Sequence, residues 1–112
     1  MQTVAELPEF IRRCEKLLPE KERQALISHL ADSPKAGDLM RGTGGIRKIR
    51  WAREGSGKSG GTRIIYYYHS ERIPLYLLTV FGKNEKANLS IAERNALAAL
   101  VKLLIQAAGL KS

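Results

Sequence analysis

At 112 residues the chain is long enough for one domain with a modest core, and too short for a nucleotide hydrolase built on a many-stranded parallel sheet. Hydrophobic residues make up 44% of it, which excludes wholesale disorder, and no apolar run approaches the roughly 18 residues that a membrane span needs. A net charge of +8 with a pI near 9.9 favours a polyanionic partner: nucleic acid, an acidic protein or an anionic membrane surface.

The opening "MQTVAELPEF" lacks a basic segment followed by an apolar one, so no secretory signal is expected and the cytoplasm is the expected location. The single cysteine, Cys14, rules out an internal disulfide and any cysteine-rich zinc site. Thr3 to Glu6 is a weak strand candidate. Pro8 then opens a helix in which Phe10, Ile11, Cys14, Leu17 and Leu18 recur at three- and four-residue spacing, and Pro19 starts a second carrying Ala25, Leu26, Ile27 and Leu30. Ser33-Pro34 ends it, because a residue before proline is pushed out of the helical region.

"KAGDLMRGTGG" is a glycine-rich loop, and beyond it the periodicity changes to two. In a strand, Ile46, Lys48 and Arg50 would face one way and Arg47, Ile49 and Trp51 the other. "EGSGKSGG" is too rich in glycine and serine for regular structure and is expected to be a long hairpin loop. "TRIIYYYH" and "IPLYLLTVF" supply two antiparallel strands, the second apolar nearly throughout, as suits a strand covered on both faces. Ser90 with Glu93 forms a capping box for a last helix with an apolar stripe of Ile91, Leu97, Leu100, Val101, Leu104 and Ile105, and Gly109 is placed to end it. The layout is α+β, with helices packed on one small sheet.

The charge is concentrated. From Arg41 to Arg63 the basic residues are Arg41, Arg47, Lys48, Arg50, Arg53, Lys58 and Arg63, against Glu54 alone. Within that stretch Ala52 to Ser59 fits the loosest form of a phosphate-cradling P-loop. That motif requires a helix to begin after the lysine, so that free N–H groups hold the phosphates. Here "SGGTRIIYYYH" follows Lys58, the strongest β-run in the chain, and no apolar strand ends in a magnesium-binding aspartate, so a nucleotide hydrolase is not expected. A basic sheet flanked by a Gly/Lys loop is instead a phosphate-binding surface, with Tyr66, Tyr67 and Tyr68 offering rings to unpaired bases. Strand alternation buries Tyr67 or else the pair Tyr66 and Tyr68. No set of side chains suggests a metal or acyl chemistry, and no cofactor is expected.

The ordered segments "GTGGIRKIR", "GKSGGTRIIYY" and "YLLTVFGKNE" resemble the RelE/HigB toxins of type II toxin–antitoxin modules, most closely the HigB-type branch. The resemblance implies a single RelE/HigB-like domain over residues 1–112, with two N-terminal helices and a C-terminal helix on a mainly antiparallel sheet. It further implies a metal-independent, ribosome-dependent endoribonuclease that cuts mRNA during translation, neutralised by a cognate antitoxin and monomeric when free of it. Its partners would be that antitoxin, the ribosome and mRNA, with no membrane involved. By position, Lys48 and Arg50 fall where such toxins hold two strand lysines near the scissile phosphate, Arg63 matches a strand arginine that stabilises it, and Lys83 matches a basic residue after the last strand. Arg47, Lys58, Tyr66, Tyr68 and Asn84 are the candidate RNA contacts. The family's best-known members have an arginine immediately after the position of Lys83 and a tyrosine near that of Ser90; this chain has Asn84 and Ser90. The general base therefore stays open among a tyrosine of the 66–68 run, His69 and a lysine. A non-catalytic RNA- or ribosome-binding module on the same fold is the alternative.

Overall fold

The computed structural model describes residues 1–51 and 61–110. Strand β1 (Val4–Glu6) leads into α1 (Pro8–Leu17) and α2 (Glu20–Asp32), followed by β2 (Asp38–Leu39), β3 (Ile46–Trp51), β4 (Thr62–Tyr67), β5 (Leu75–Gly82) and α3 (Ile91–Ala107). The strands form one sheet in the order β1-β5-β4-β3-β2, antiparallel throughout except for the parallel β1/β5 pair.

The two prolines act as punctuation. Pro8 occupies the first turn of α1, where its missing N–H costs nothing, and Pro19 stands at the N-cap of α2. At the other end of the chain, the Ser90 hydroxyl accepts from the Glu93 N–H while the Glu93 carboxylate accepts from the Ser90 N–H, so two otherwise orphaned donors of α3 are satisfied reciprocally. The helix closes on Gly109 at φ +74°, with bonds from Leu110 N–H to the Ile105 carbonyl and from Gly109 N–H to the Gln106 carbonyl.

Helices cover both faces of the sheet. On one face Phe10, Cys14, Leu18, Leu26 and Leu30 of the helical hairpin pack on Ile64, Tyr66, Leu75, Leu77 and Val80. On the other, Leu89, Val101 and Ile105 pack on Ile46, Ile65, Tyr67, Leu78 and Phe81. Burial on both sides explains why β4 and β5 read as almost continuous apolar runs. A bulge interrupts their ladder: Ile65 pairs with Thr79 and Tyr66 with Leu77, so Leu78 is an extra residue that adds its side chain to the α3-side core.

Strand β2 was not expected within the glycine-rich loop. Asp38 and Leu39 pair with Lys48 and Arg47, and the turn that returns the chain is held by the Thr43 hydroxyl, which donates to the Met40 carbonyl at 2.6 Å and accepts from the Ile46 N–H at 3.1 Å. Gly42, Gly44 and Gly45 take the positive φ values this turn needs. Among the described residues, no helix is long and apolar enough to cross a membrane.

Candidate nucleic-acid interface

Ile46 lies in the α3-side core, so alternation along β3 puts Lys48 and Arg50 on that face. On β4 the same logic runs from Ile65 and Tyr67 back to Arg63. The register then places Arg50 directly opposite Arg63, and Arg63 opposite Phe81, giving a row Arg50–Arg63–Phe81 across three strands. Directly opposed residues of antiparallel strands have Cβ atoms about 5 Å apart, and like charges so placed cost up to about 1 kcal/mol. Among the described residues, none of Lys48, Arg50, Arg63 and Lys83 forms an ion pair. Arg63 Nη1 is screened from solvent with no hydrogen-bond acceptor. A phosphate oxygen placed over this row would offset the repulsion between the guanidiniums.

The described contacts of α3 lie away from Arg50. Its first turns stand beside Thr79, Phe81 and Leu89, and its last turns beside Tyr67, His69 and the turn at Gly42–Gly44. The helix thus crosses the face on a diagonal. Among the described residues, Arg50 is exposed on this face, with Lys48 and Arg63 half-buried beside it.

The segment joining β5 to α3 borders the row. Lys86 is tied to the Glu93 carboxylate and its ammonium sits 5.2 Å from the centre of the Phe81 ring. Lys86, first of several influences, holds the Glu93 carboxyl down at about 2, with the Ser90 N–H adding to the effect. Lys48 Nζ donates to Asn88 Oδ1 at 3.0 Å. Lys83 begins this segment at the same end of the sheet, its N–H bonded to the Gly61 carbonyl at 3.2 Å, with its side chain and that of Asn84 exposed. Asn88 and Lys86 were not foreseen, because the contact of Asn88 spans 40 residues and nothing local marks it.

Other sequence candidates fall elsewhere. Arg47 projects to the opposite face, where its Nη1 donates to the Gly37 carbonyl at 2.7 Å and to the Lys35 carbonyl at 3.3 Å. Tyr66 is no stacking platform: its ring is 0% exposed, and its hydroxyl donates to the Pro34 carbonyl and accepts from the Gly37 N–H, both at 2.8 Å. Arg47 and Tyr66 together clamp residues 34–37. A Cβ on Gly37 would come within 2.9 Å of the Lys48 carbonyl oxygen and 2.8 Å of the Tyr66 ring, so that position admits only glycine. Tyr68 is half-buried against the α1/α2 core and lies five residues along the chain from Arg63, about 16 Å away. Lys58 and the hairpin loop expected around it lie outside the described residues.

The same distances narrow the choice of general base. His69 is about 20 Å from Arg63 along the chain, past the end of β4, and contacts Ser70 Oγ at 3.0 Å. Tyr67 is buried under α3, and burial raises its hydroxyl above the usual tyrosine range. Tyr66 is raised likewise, with the Gly37 N–H partly opposing. Neither phenol is free to take a proton at the row.

A family model described as the RelE toxin of the RelE/RelB toxin–antitoxin system matches residues 12–111. The chain belongs to the RelE toxin family. It is accordingly a toxin of a toxin–antitoxin system, a class whose members have an antitoxin as partner. The free-state structure of an arginine-to-alanine double mutant of the E. coli toxin RelE superposes with a TM-score of 0.57 at 18% identity, covering 89% of this chain and 96% of that one, which establishes the common α+β fold.

Proposed function

We propose that this RelE-family toxin is a ribosome-dependent endoribonuclease that cuts mRNA during translation without a metal. The observation that carries the reading is the pair Arg50 and Arg63, directly opposed on adjacent strands and without an ion pair among the described residues. In the reaction the ribose 2′-oxygen loses its proton and bonds to the adjacent phosphorus, the bond from phosphorus to the 5′-oxygen breaks, and the departing 5′-oxygen takes up a proton. Negative charge builds on the two non-bridging oxygens. The sheet sets Arg50 and Arg63 side by side, where their guanidiniums would meet that charge, and this electrostatic stabilisation is the main source of rate. Arginines cannot exchange protons at neutral pH. With both buried tyrosines and His69 out of reach and Lys86 engaged by Glu93, proton movement falls to Lys48 and Lys83.

The rest of the excess charge steers the toxin to ribosomal RNA, with Lys58 as a further phosphate contact. The cognate antitoxin neutralises it by covering the same two arginines, and the free toxin acts as a monomer in the cytoplasm. Single-turnover cleavage of mRNA on programmed ribosomes tests the reading: Arg63→Ala should slow cleavage by about 10²–10³-fold, the scale of losing one oxyanion donor. Ribosome binding should change far less, because many phosphate contacts share that energy. Intact messages on stalled ribosomes with the wild-type protein would favour a non-catalytic ribosome-binding module, a reading motivated by Asn84 and by Ser90, which is committed to capping α3.

A further inference from the structure

Lys48 carries a compact charge on a four-carbon stem, and on its own face it stands two residues from Arg50. Nothing in its stem fixes the ammonium; Arg50 on its own strand repels it, and Asp38, directly opposite on β2, offers a negative charge but forms no ion pair with it. What fixes it is Asn88 Oδ1, at 3.0 Å. Because lysine offers only donors, this bond also fixes which end of the amide faces it. Asn88 is in turn held on both sides: Lys86 is anchored to Glu93 and over Phe81, Leu89 is buried in the α3-side core, and Ser90 caps α3. Asn88 itself is exposed, so it is these flanking anchors along the chain that set where its amide stands.

The chemistry of the partner matters as much as its position. A carboxylate at residue 88 would hold the ammonium more firmly, but as an ion pair, offsetting the charge the phosphate needs and favouring the protonated amine. A neutral amide orients the ammonium and leaves its charge and its proton available. We propose that Asn88 is a positioning residue, which acts through Lys48 by holding its amine toward the phosphate bound at Arg50 and Arg63. This rests on the nuclease reading and on the part given there to Lys48.

A double-mutant cycle tests it, with wild type, Asn88→Ala, Lys48→Met and the double variant compared for maximal single-turnover cleavage rate and half-saturating toxin concentration on programmed ribosomes. Asn88→Ala is expected to lower the maximal rate about tenfold to a hundredfold, the range for a misplaced reacting group, with half-saturation unchanged within about twofold. In the Lys48→Met background the same change should have no further effect. Asn88→Asp, which keeps the acceptor and the fold, should also slow cleavage, and its pH–rate profile should rise at higher pH than that of the wild type. Losses that add in the double variant, or an effect of Asn88→Ala on half-saturation alone, would overturn the positioning role while leaving the nuclease reading in place. Full activity in Lys48→Met would remove both this role and the one given to Lys48. No cleavage by the wild type would end the nuclease reading, and this role with it.

Discussion

Tyr66→Phe isolates one hydroxyl in the middle of the protein. The ring is fully buried and is retained by phenylalanine, so no cavity opens and only two hydrogen bonds are lost, those to the Pro34 carbonyl and from the Gly37 N–H. Each such bond contributes about 0.5–1.5 kcal/mol net, and the Gly37 N–H, which lies in the buried interior, keeps its desolvation cost without a partner. The expected loss is about 2 kcal/mol, a fall in Tm of roughly 8 °C for a chain of this size. Urea unfolding followed by the fluorescence of Trp51, the single tryptophan, measures it as a lower midpoint at unchanged slope. There is also an alkaline signature. Burial raises the Tyr66 hydroxyl above its ordinary value, so the unfolded chain ionises first, and the group's contribution is complete below about pH 10 and fades as the pH climbs further. The gap between wild type and variant should therefore narrow above about pH 10, although Tyr67, shifted the same way, makes both curves fall. A loss below about 0.5 kcal/mol would refute the assignment of Tyr66 as the tie that holds residues 34–37 to the sheet.

Two further outcomes follow from the same geometry. The Glu93 carboxyl, lowered from 4.5 to about 2, adds stability that is present above about pH 4.5 and lost as pH falls toward 2, so Glu93→Gln should flatten the urea midpoint across that window; parallel curves for the two proteins would refute it. Arg47→Met should cost about 1–2 kcal/mol in unfolding through the lost bonds to Gly37 and Lys35, yet leave the salt dependence of ribosome binding unchanged. Arg50→Met should do the reverse, reducing the slope of log K against log salt by about one, and equal slopes for the two variants would contradict their assignment to opposite faces.

Those opposite faces were readable in the sequence. Alternation in "IRKIRW" separates Arg47 from Lys48 and Arg50 before any coordinate is known, and the apolar run of β5 announces a strand covered on both sides. Helix ends were equally legible, because proline, the capping box and Gly109 act through neighbours in the chain. Non-local facts were not. Nothing in "GTRIIYYYH" says that Tyr66 will spend its hydroxyl on a loop 29 and 32 residues earlier, so a ring that looked available for bases is an anchor. Strand β2 is only two residues long and owes its existence to a turn built by Thr43 and three glycines, below the threshold of any periodicity.

The location of the proposed site depends on both kinds of information. Periodicity alone would distribute the cations of β3 and β4 along a whole face, and most of such a face must be buried if the sheet is to have a core. What selects the corner at Arg50 and Arg63 is the diagonal of α3, whose direction is set at one end by Leu89 and the Ser90–Glu93 cap and at the other by Val101 and Ile105 against Tyr67 and Ile46. Residues far from the arginine row therefore decide which part of this face α3 covers. The segment that starts this helix also carries Asn88 to Lys48, so the cap that orients α3 and the amide that orients the lysine belong to one short stretch, residues 86–93. A change that loosens the cap is thus expected to reach the chemistry through Lys48 even though it touches no residue of the arginine row.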